Sequence, residues 1–311
     1  DYQSISMVKI NHILYIPMTG LGLYNGYRGD NWLKNRIQIF KQFVLSSLLN
    51  QTNQNFILLV SWRPEERSNP IVLEFYQYLK KTKLRTIIFT YHGILFWDDK
   101  YKDDKAEKRL KDGLEKTLPI IKQYIDDSAE WILFTIQPSD DIYLGSVVAD
   151  LQSQKLEEKA VGFNRGYIMD YFTKEVSQYN PTTSSPFYTI YFPKEKFFDI
   201  NKHMKYIGYC QSHEYVNNFL KYDFLDYRGF IVGCHSENIS TGYNIHFKGE
   251  KLNQGETKKV LEKAGILEVE LLQIKRSWKR LYFKLPHWLR RKIRYYLGER
   301  FYVKWYNFIN G

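Results

Sequence analysis

The sequence has little cysteine and no long apolar run. Only Cys210 and Cys234 occur among 311 residues, too few for a disulfide framework, so we expect a reducing compartment. No stretch approaches the roughly 20 consecutive apolar residues that a membrane-spanning helix needs. Residues 1–4 begin the chain without the apolar segment of a secretory signal. Internal repeats and low-complexity tracts are also lacking, so we expect one large domain, alone or with an appendage.

Positive charge is present but unevenly placed. The net charge is +11, yet residues 273–311 contain eleven Lys or Arg and one acid, Glu299. The first 272 residues hold 34 basic and 33 acidic side chains, so their balance is ordinary. The sequence therefore predicts a body at 1–265 followed by a basic tail at 266–311.

Strand and helix patterns alternate along the first half of the chain. Residues 32–50 repeat apolar side chains at helical spacing, Asn69-Pro70 is typical of a helix start, and a helix over about 104–126 should bend near Pro119. A shorter helix is expected at 257–264. Strands are predicted at 12–17, 55–62, 86–91, 131–136, 187–192 and 229–234. This alternation predicts an α/β fold with a mostly parallel sheet flanked by helices.

Two adjacent acids follow the apolar run 131–136. Asp140 and Asp141 come after Pro138-Ser139, where the strand would reach the carboxyl edge of the sheet. Ligands of open α/β sheets bind at that edge, and paired carboxylates can hold a divalent cation against a diphosphate. A solvated turn is the alternative, because Pro-Ser-Asp-Asp is also common turn chemistry.

Several short motifs in fixed order carry a family resemblance. Trp32-Leu33-x-x-Arg36-x-x-x-Phe40, Ser47-Leu48-x-x-Gln51-Thr52 and Asn55-Phe56 resemble the opening of GT-A-fold glycosyltransferases, and the bacterial rhamnosyltransferase family is the most similar. That family carries a Thr-Arg-Leu-Asp-Asn-Asp-Asp type motif, matched here by 135–141, and a His-Gly-x-Asn type motif, matched by 234–238. The resemblance covers residues 10–250 and implies a GT-A-type, Rossmann-like fold.

The match departs from the family pattern in the acidic motif. Ile136 and Pro138 stand where the family has arginine and its first aspartate, and Ser61-Trp62-Arg63 supplies no acid after the second strand. The resemblance implies sugar transfer from a nucleotide-diphosphate donor to a surface glycan or lipid-linked acceptor. Because of these departures there is a second hypothesis: the chain is a catalytically decayed GT-A-like domain that binds a glycan or protein partner.

The resemblance also assigns candidate site residues. A divalent metal, Mn²⁺ or Mg²⁺, would be held by Asp140 and Asp141 with His235 as third ligand, and these acids with Arg36 would contact the donor. Glu214, with His213 as substitute, would accept the proton of the acceptor hydroxyl. Each has an ordinary structural alternative, such as a solvated helix arginine for Arg36 or a helix-start acid for Glu214.

The basic tail predicts an interaction surface of its own. Pro286 and Gly298 bound a helix pattern with arginines beside tryptophan and tyrosine. Such a basic, aromatic-rich amphipathic helix suits an anionic membrane surface. A helix packed on the body with a solvated basic face is the structural alternative. Nucleic acid is the alternative partner, which we do not expect because no nucleic-acid-binding fold accompanies the tail. The expected location is therefore the cytoplasm, peripheral to the inner face of the cell membrane.

Overall fold

The computed structural model describes residues 9–19, 29–93, 104–181, 187–205, 213–235, 243, 248–267 and 289, with backbone only at 104–107, 109 and 213–215. Almost all of the predicted basic tail, including its helix, lies outside these ranges. The predicted division between a body at 1–265 and a tail at 266–311 therefore stays a prediction. None of the helices within these ranges combines the length and apolarity needed to cross a membrane.

The strands of the described residues form two sheets. In chain order they are β1 (Ile10–Pro17), β2 (Ile57–Ser61), β3 (Thr86–Thr90), β4 (Trp131–Ile136), β5 (Ile142–Tyr143), β6 (Lys159–Phe163), β7 (Gly166–Asp170), β8 (Val176–Tyr179), β9 (Tyr188–Pro193), β10 (Tyr222–Leu225), β11 (Phe230–Cys234) and β12 (Lys248–Lys251).

The helices are mostly short. They are α1 (Asp30–Ile39), α2 (Leu45–Leu49), α3 (Pro70–Lys80), α4 (Asp104–Lys122), α5 (Val147–Gln152), α6 (Lys194–Phe198), α7 (Ile200–His203) and α8 (Gln254–Lys263). A π-helical segment at Phe40–Val44 joins α1 to α2, so the predicted helix at 32–50 is confirmed as one helical stretch. Asn69 accepts a hydrogen bond from the backbone N–H of Ile71, as its predicted capping role requires.

The main sheet has seven strands in the order β10-β6-β9-β4-β1-β2-β3. Strands β4, β1, β2 and β3 run parallel, so their carboxyl ends meet at one edge. β9 is antiparallel to both β4 and β6. β6 and β10 run in the same direction as β4, so β9 alone among these seven strands runs opposite. The prediction of a mostly parallel sheet is therefore confirmed in part, because the sheet is mixed and not purely parallel. The sequence could not show that β9 is antiparallel, since a fully buried antiparallel strand has the same continuous apolar run as a parallel one.

Alternate side chains of β1 enter cores on opposite faces of this sheet. Ile13 and Tyr15 pack into the core that includes α4, whereas Leu14 and Ile16 pack into the core that includes α1 and α3. The period-2 alternation of a strand requires this division. Both faces of the sheet are consequently covered, as the strand-helix alternation predicted.

The second sheet was not predicted. It has five strands in the order β12-β8-β7-β11-β5, and β5 pairs antiparallel with β11. β5 begins directly after Asp141, so the chain leaves the main sheet at the two acids and enters the second sheet. This arrangement brings the end of β11 beside the end of β4.

Candidate functional site at the carboxyl edge of the main sheet

The two acids lie where the chain reverses its direction across the sheet. From β1 the chain proceeds to β2 and β3 on one side, and then returns to β4 on the other side of β1. The carboxyl ends of β1 and β4 therefore flank a topological switch point, the place where open α/β sheets bind ligands. Asp140 and Asp141 follow β4 at this edge.

A turn at the end of β4 holds the acids in place. The backbone N–H of Asp141 donates to the carbonyl of Pro138 at 3.3 Å, and the side-chain amide of Gln137 donates to the carbonyl of Asp141 at 3.0 Å. Both acids are buried. The predicted turn is thus present, but it is not solvated.

Arg36 and His235 converge on Asp140. Arg36 Nη1 donates to Asp140 Oδ2 at 2.8 Å, with the two side chains 6% and 10% exposed. His235 Nε2 lies 2.9 Å from the same Oδ2 and 3.1 Å from Arg36 Nη1. The structure therefore brings together three of the residues that the sequence nominated, and Arg36 is buried instead of solvated.

The two acids differ in their electrostatic surroundings. Burial acts to raise the pKa of Asp140, but Arg36 and His235 outweigh it and hold that pKa well below its usual range. Burial and the charge of Asp140 raise the pKa of Asp141 well above its usual range. The two shifts are opposite in direction, so Asp140 holds its negative charge more readily than Asp141 does.

Asp141 is tied to the second sheet through β11. Its Oδ1 accepts a hydrogen bond from the backbone N–H of Gly233 at 2.8 Å. A Cβ at Gly233 would lie 2.2 Å from the carbonyl oxygen of Asp140 and 2.3 Å from the hydroxyl of Tyr171. Glycine at this position thus permits the close approach of β11 that places His235 at the site.

Tyr171 is a site residue that the sequence interpretation missed. Its hydroxyl donates to the carbonyl of Asp140 at 2.6 Å. Its ring stacks on Phe43, with centroids 3.7 Å apart, and faces the ring of His235 at 6.2 Å. No motif surrounds Tyr171, so only the pairing of β7 with β11 reveals it.

Glu66 is a second buried carboxylate near this edge that went unrecognised. It lies in the 3₁₀ turn Pro64–Glu66 after β2, and its Oε2 accepts from the Thr19 hydroxyl and from the backbone N–H of Arg63. Burial raises its pKa, although these hydrogen bonds oppose the shift. The tripeptide 61–63 contains no acid, but a buried acid does follow the second strand three residues after that tripeptide, at Glu66.

The predicted base lies outside the side chains that the structure describes. Residues 213–218 form a 3₁₀ segment of the backbone, but the side chains of His213 and Glu214 are not among those described. Their assignment as proton acceptors stays a prediction.

The predicted metal ligands contact an arginine in this structure. Asp140 and His235 have a chemistry that suits a divalent cation, but both face Arg36 Nη1. Within the described ranges no three His, Cys, Asp or Glu side chains are grouped so that they could hold a metal ion. With Arg36 in this position, Asp140 and His235 do not fit a divalent metal. The predicted role of Mn²⁺ or Mg²⁺ in the reaction is untested.

Comparison with known proteins gives distant similarities only. No family model matches the sequence, and no curated protein matches it. Among solved structures, the glycosyltransferase GlyE of Streptococcus pneumoniae TIGR4 aligns at 12% identity and a TM-score of 0.35, over 70% of this chain and 46% of GlyE. This chain therefore spans less than half of GlyE.

Two further structures align comparably. A Desulfovibrio desulfuricans G20 protein assigned as a nucleotide-diphospho-sugar transferase shows 13% identity and a TM-score of 0.33, over 73% of this chain and 81% of its own. Mouse xyloside xylosyltransferase 1 shows 10% identity and a TM-score of 0.32, over 70% and 85% respectively. Similarities this low establish neither a shared site nor a shared substrate.

Proposed function

We propose that the protein is a glycosyltransferase that uses a nucleotide-diphosphate sugar. The observation that supports this proposal is the convergence of Arg36, Asp140 and His235 at the switch point of the main sheet. A buried cation held by a carboxylate at this edge suits an anionic ligand. The resemblance of the ordered motifs to glycosyltransferases then selects a sugar diphosphate among such ligands.

The reaction needs two kinds of groups. The bond between the sugar C1 and the diphosphate oxygen breaks with its electron pair on the diphosphate, whose growing negative charge requires a positive partner. The acceptor oxygen forms the new bond to C1, and its proton passes to a base. Among the side chains that the structure describes, Arg36 supplies a positive charge at the site. We propose Glu214 or His213 as the base.

The sugar and the acceptor follow from the resemblance alone. Rhamnose is the donor sugar we propose, and a growing surface glycan or a lipid-linked precursor is the acceptor. The prediction that Asp140 and Asp141 would hold Mn²⁺ or Mg²⁺ is untested, and for that reason the screen below compares EDTA with Mn²⁺.

A thermal-shift and calorimetry screen with nucleotide sugars tests this function. We expect at least one nucleotide-diphosphate sugar to raise the melting temperature, because a ligand that binds only the native state stabilises it. Asp140→Asn should weaken that binding by about tenfold or more, equivalent to roughly 1.4 kcal/mol. The screen is run with EDTA and with Mn²⁺.

The matched control is Asp126→Asn, since Asp126 precedes β4 and lies at the opposite edge of the sheet. This variant should bind the donor as the wild type does. A folded protein that binds no nucleotide sugar under either condition would contradict the proposal. It would favour the decayed domain that binds a glycan or protein partner, for which Pro138 in place of an acid is the supporting observation.

We also propose that residues 273–311 attach the protein to an anionic membrane surface. Each Lys or Arg close to such a surface contributes about 1 kcal/mol, and this segment contains eleven. The full chain should float with liposomes that contain anionic lipid, and a chain that ends at residue 272 should not. Equal flotation of both chains, or binding of the tail to oligonucleotides in preference to liposomes, would contradict this attachment.

A further inference from the structure

We propose that the Arg36 guanidinium is the resident cation of this site and takes the place of a divalent metal. The site would then bind the diphosphate of its donor without Mn²⁺ or Mg²⁺. The identity of the anion rests on the proposed function. The competition between Arg36 and a metal for Asp140 and His235 does not.

The first observation in support of this proposal is the hydrogen bonding of His235. Nε2 of His235 is 2.9 Å from Asp140 Oδ2, which can only accept, and 3.1 Å from Arg36 Nη1, which can only donate. Nε2 has a single position for a proton or a lone pair. If it carries the proton, that proton faces Asp140 and Nε2 offers no lone pair to a metal. If it carries the lone pair, Arg36 occupies it.

The second observation is that both acids already have partners in the protein. A divalent cation with oxygen ligands needs carboxylates whose charge is available to it. Arg36 neutralises Asp140 at 2.8 Å, and Asp141 directs Oδ1 to the backbone N–H of Gly233 at 2.8 Å. A dication entering here would meet a nearby positive charge and one carboxylate already bound to the main chain.

The third observation is that the Arg36 side chain is held in position by its helix. The side chain extends from α1, whose Trp32 and Ile37 are buried against the sheet. The Arg36 guanidinium carbon lies 5.8 Å from the centroid of the Trp32 ring. Its orientation is therefore held before any ligand arrives. A guanidinium carries five N–H donors in one plane and pairs with phosphate oxygens as well as with carboxylate, so its chemistry suits both Asp140 and the diphosphate of the donor.

Titration with Mn²⁺ followed by electron paramagnetic resonance tests this assignment directly. The wild type should bind no Mn²⁺ at Asp140. Arg36→Met should bind Mn²⁺ at least about tenfold more tightly than the wild type, because it removes a positive charge a few ångströms from the metal position. Mn²⁺ should likewise raise the melting temperature of Arg36→Met and leave that of the wild type unchanged.

The matched control is Arg165→Met, which removes an arginine that pairs with Asp226 at the surface. It should bind Mn²⁺ no better than the wild type. Stoichiometric Mn²⁺ binding by the wild type that Asp140→Asn abolishes would overturn the inference, and this measurement stands even if Arg36→Met fails to fold. Failure of folded Arg36→Met to gain Mn²⁺ affinity would also overturn it.

Nucleoside diphosphates provide the second readout. UDP, dTDP and GDP are titrated into the wild type in EDTA and in Mn²⁺, and the one that binds should do so with affinities equal within about twofold. Binding that requires Mn²⁺ would overturn the inference. If none of them binds under either condition, the proposed function fails, while the Mn²⁺ comparison between wild type and Arg36→Met still decides the role of Arg36.

Discussion

Replacing Arg36 with methionine is expected to lower the free energy of unfolding by about 3–5 kcal/mol, the usual cost of removing one partner from a buried ion pair. The variant leaves the Asp140 carboxylate buried beside His235 without its guanidinium partner, which lies 2.8 Å away in the native protein. Urea denaturation at neutral pH measures this loss.

Two controls separate the buried pair from ordinary loss of charge. Arg36→Met/Asp140→Asn should cost less than the sum of its two single changes, because the double variant leaves neither charge buried alone. Arg165→Met breaks a pair whose side chains are 42% and 88% exposed, and it should cost only about 0–1 kcal/mol. A loss below about 1 kcal/mol for Arg36→Met would show that Asp140 does not depend on this partner.

A fall in pH from about 7 to about 4 is expected to destabilise the protein, because two histidines are buried in neutral form. His12 Nδ1 accepts from the Gln152 amide at 3.1 Å, so Nε2 carries the proton that it donates to the Thr135 hydroxyl at 2.7 Å. His203 Nδ1 donates to the carbonyl of Phe197 at 2.8 Å. Burial lowers the pKa of His12 to about 3 and that of His203 to about 4.

The direction of the effect follows from linkage. Both folded pKa values lie below the unfolded value of about 6.5, so the unfolded chain binds protons first as pH falls. Stability is therefore complete above pH of about 6.5 and declines toward pH of about 4. Each histidine should cost on the order of 3 kcal/mol at pH about 4.

Urea denaturation at pH about 7 and about 4 measures this decline. His203→Phe is the informative variant, since the His203 ring lies among Phe134, Phe192 and Phe197 and phenylalanine does not titrate. It should remove roughly half of the loss between the two pH values. An unchanged free energy of unfolding between them would contradict the assignment of both histidines as neutral.

Local patterns predicted most of the elements around the site. The apolar repeat in residues 32–50 matches the helical stretch from Asp30 to Leu49, and Asn69-Pro70 begins α3 as its capping chemistry requires. The run 131–136 is strand β4, and the two acids follow it at the edge where ligands bind. These features were predictable because each depends on side chains within a few positions of one another.

Pairing between distant segments was not predictable in the same way. β9 reads as a buried strand in the sequence, but its antiparallel position between β4 and β6 depends on which neighbours accept its backbone hydrogen bonds. Tyr171 and Gly233 carry no motif and become site residues only because β7 and β11 pair beside the acids.

The sequence by itself determined that a strand ends in two acids, that an amphipathic helix carries Arg36, and that the positive charge is concentrated in the tail. Only the tertiary structure decided that Arg36 and Asp140, which are 104 positions apart, form a buried ion pair, and that His235 joins them across 95 positions. The reason is physical: periodicity reports the face on which a side chain lies, whereas the partner of a buried charge is set by which chain segments the two sheets bring together.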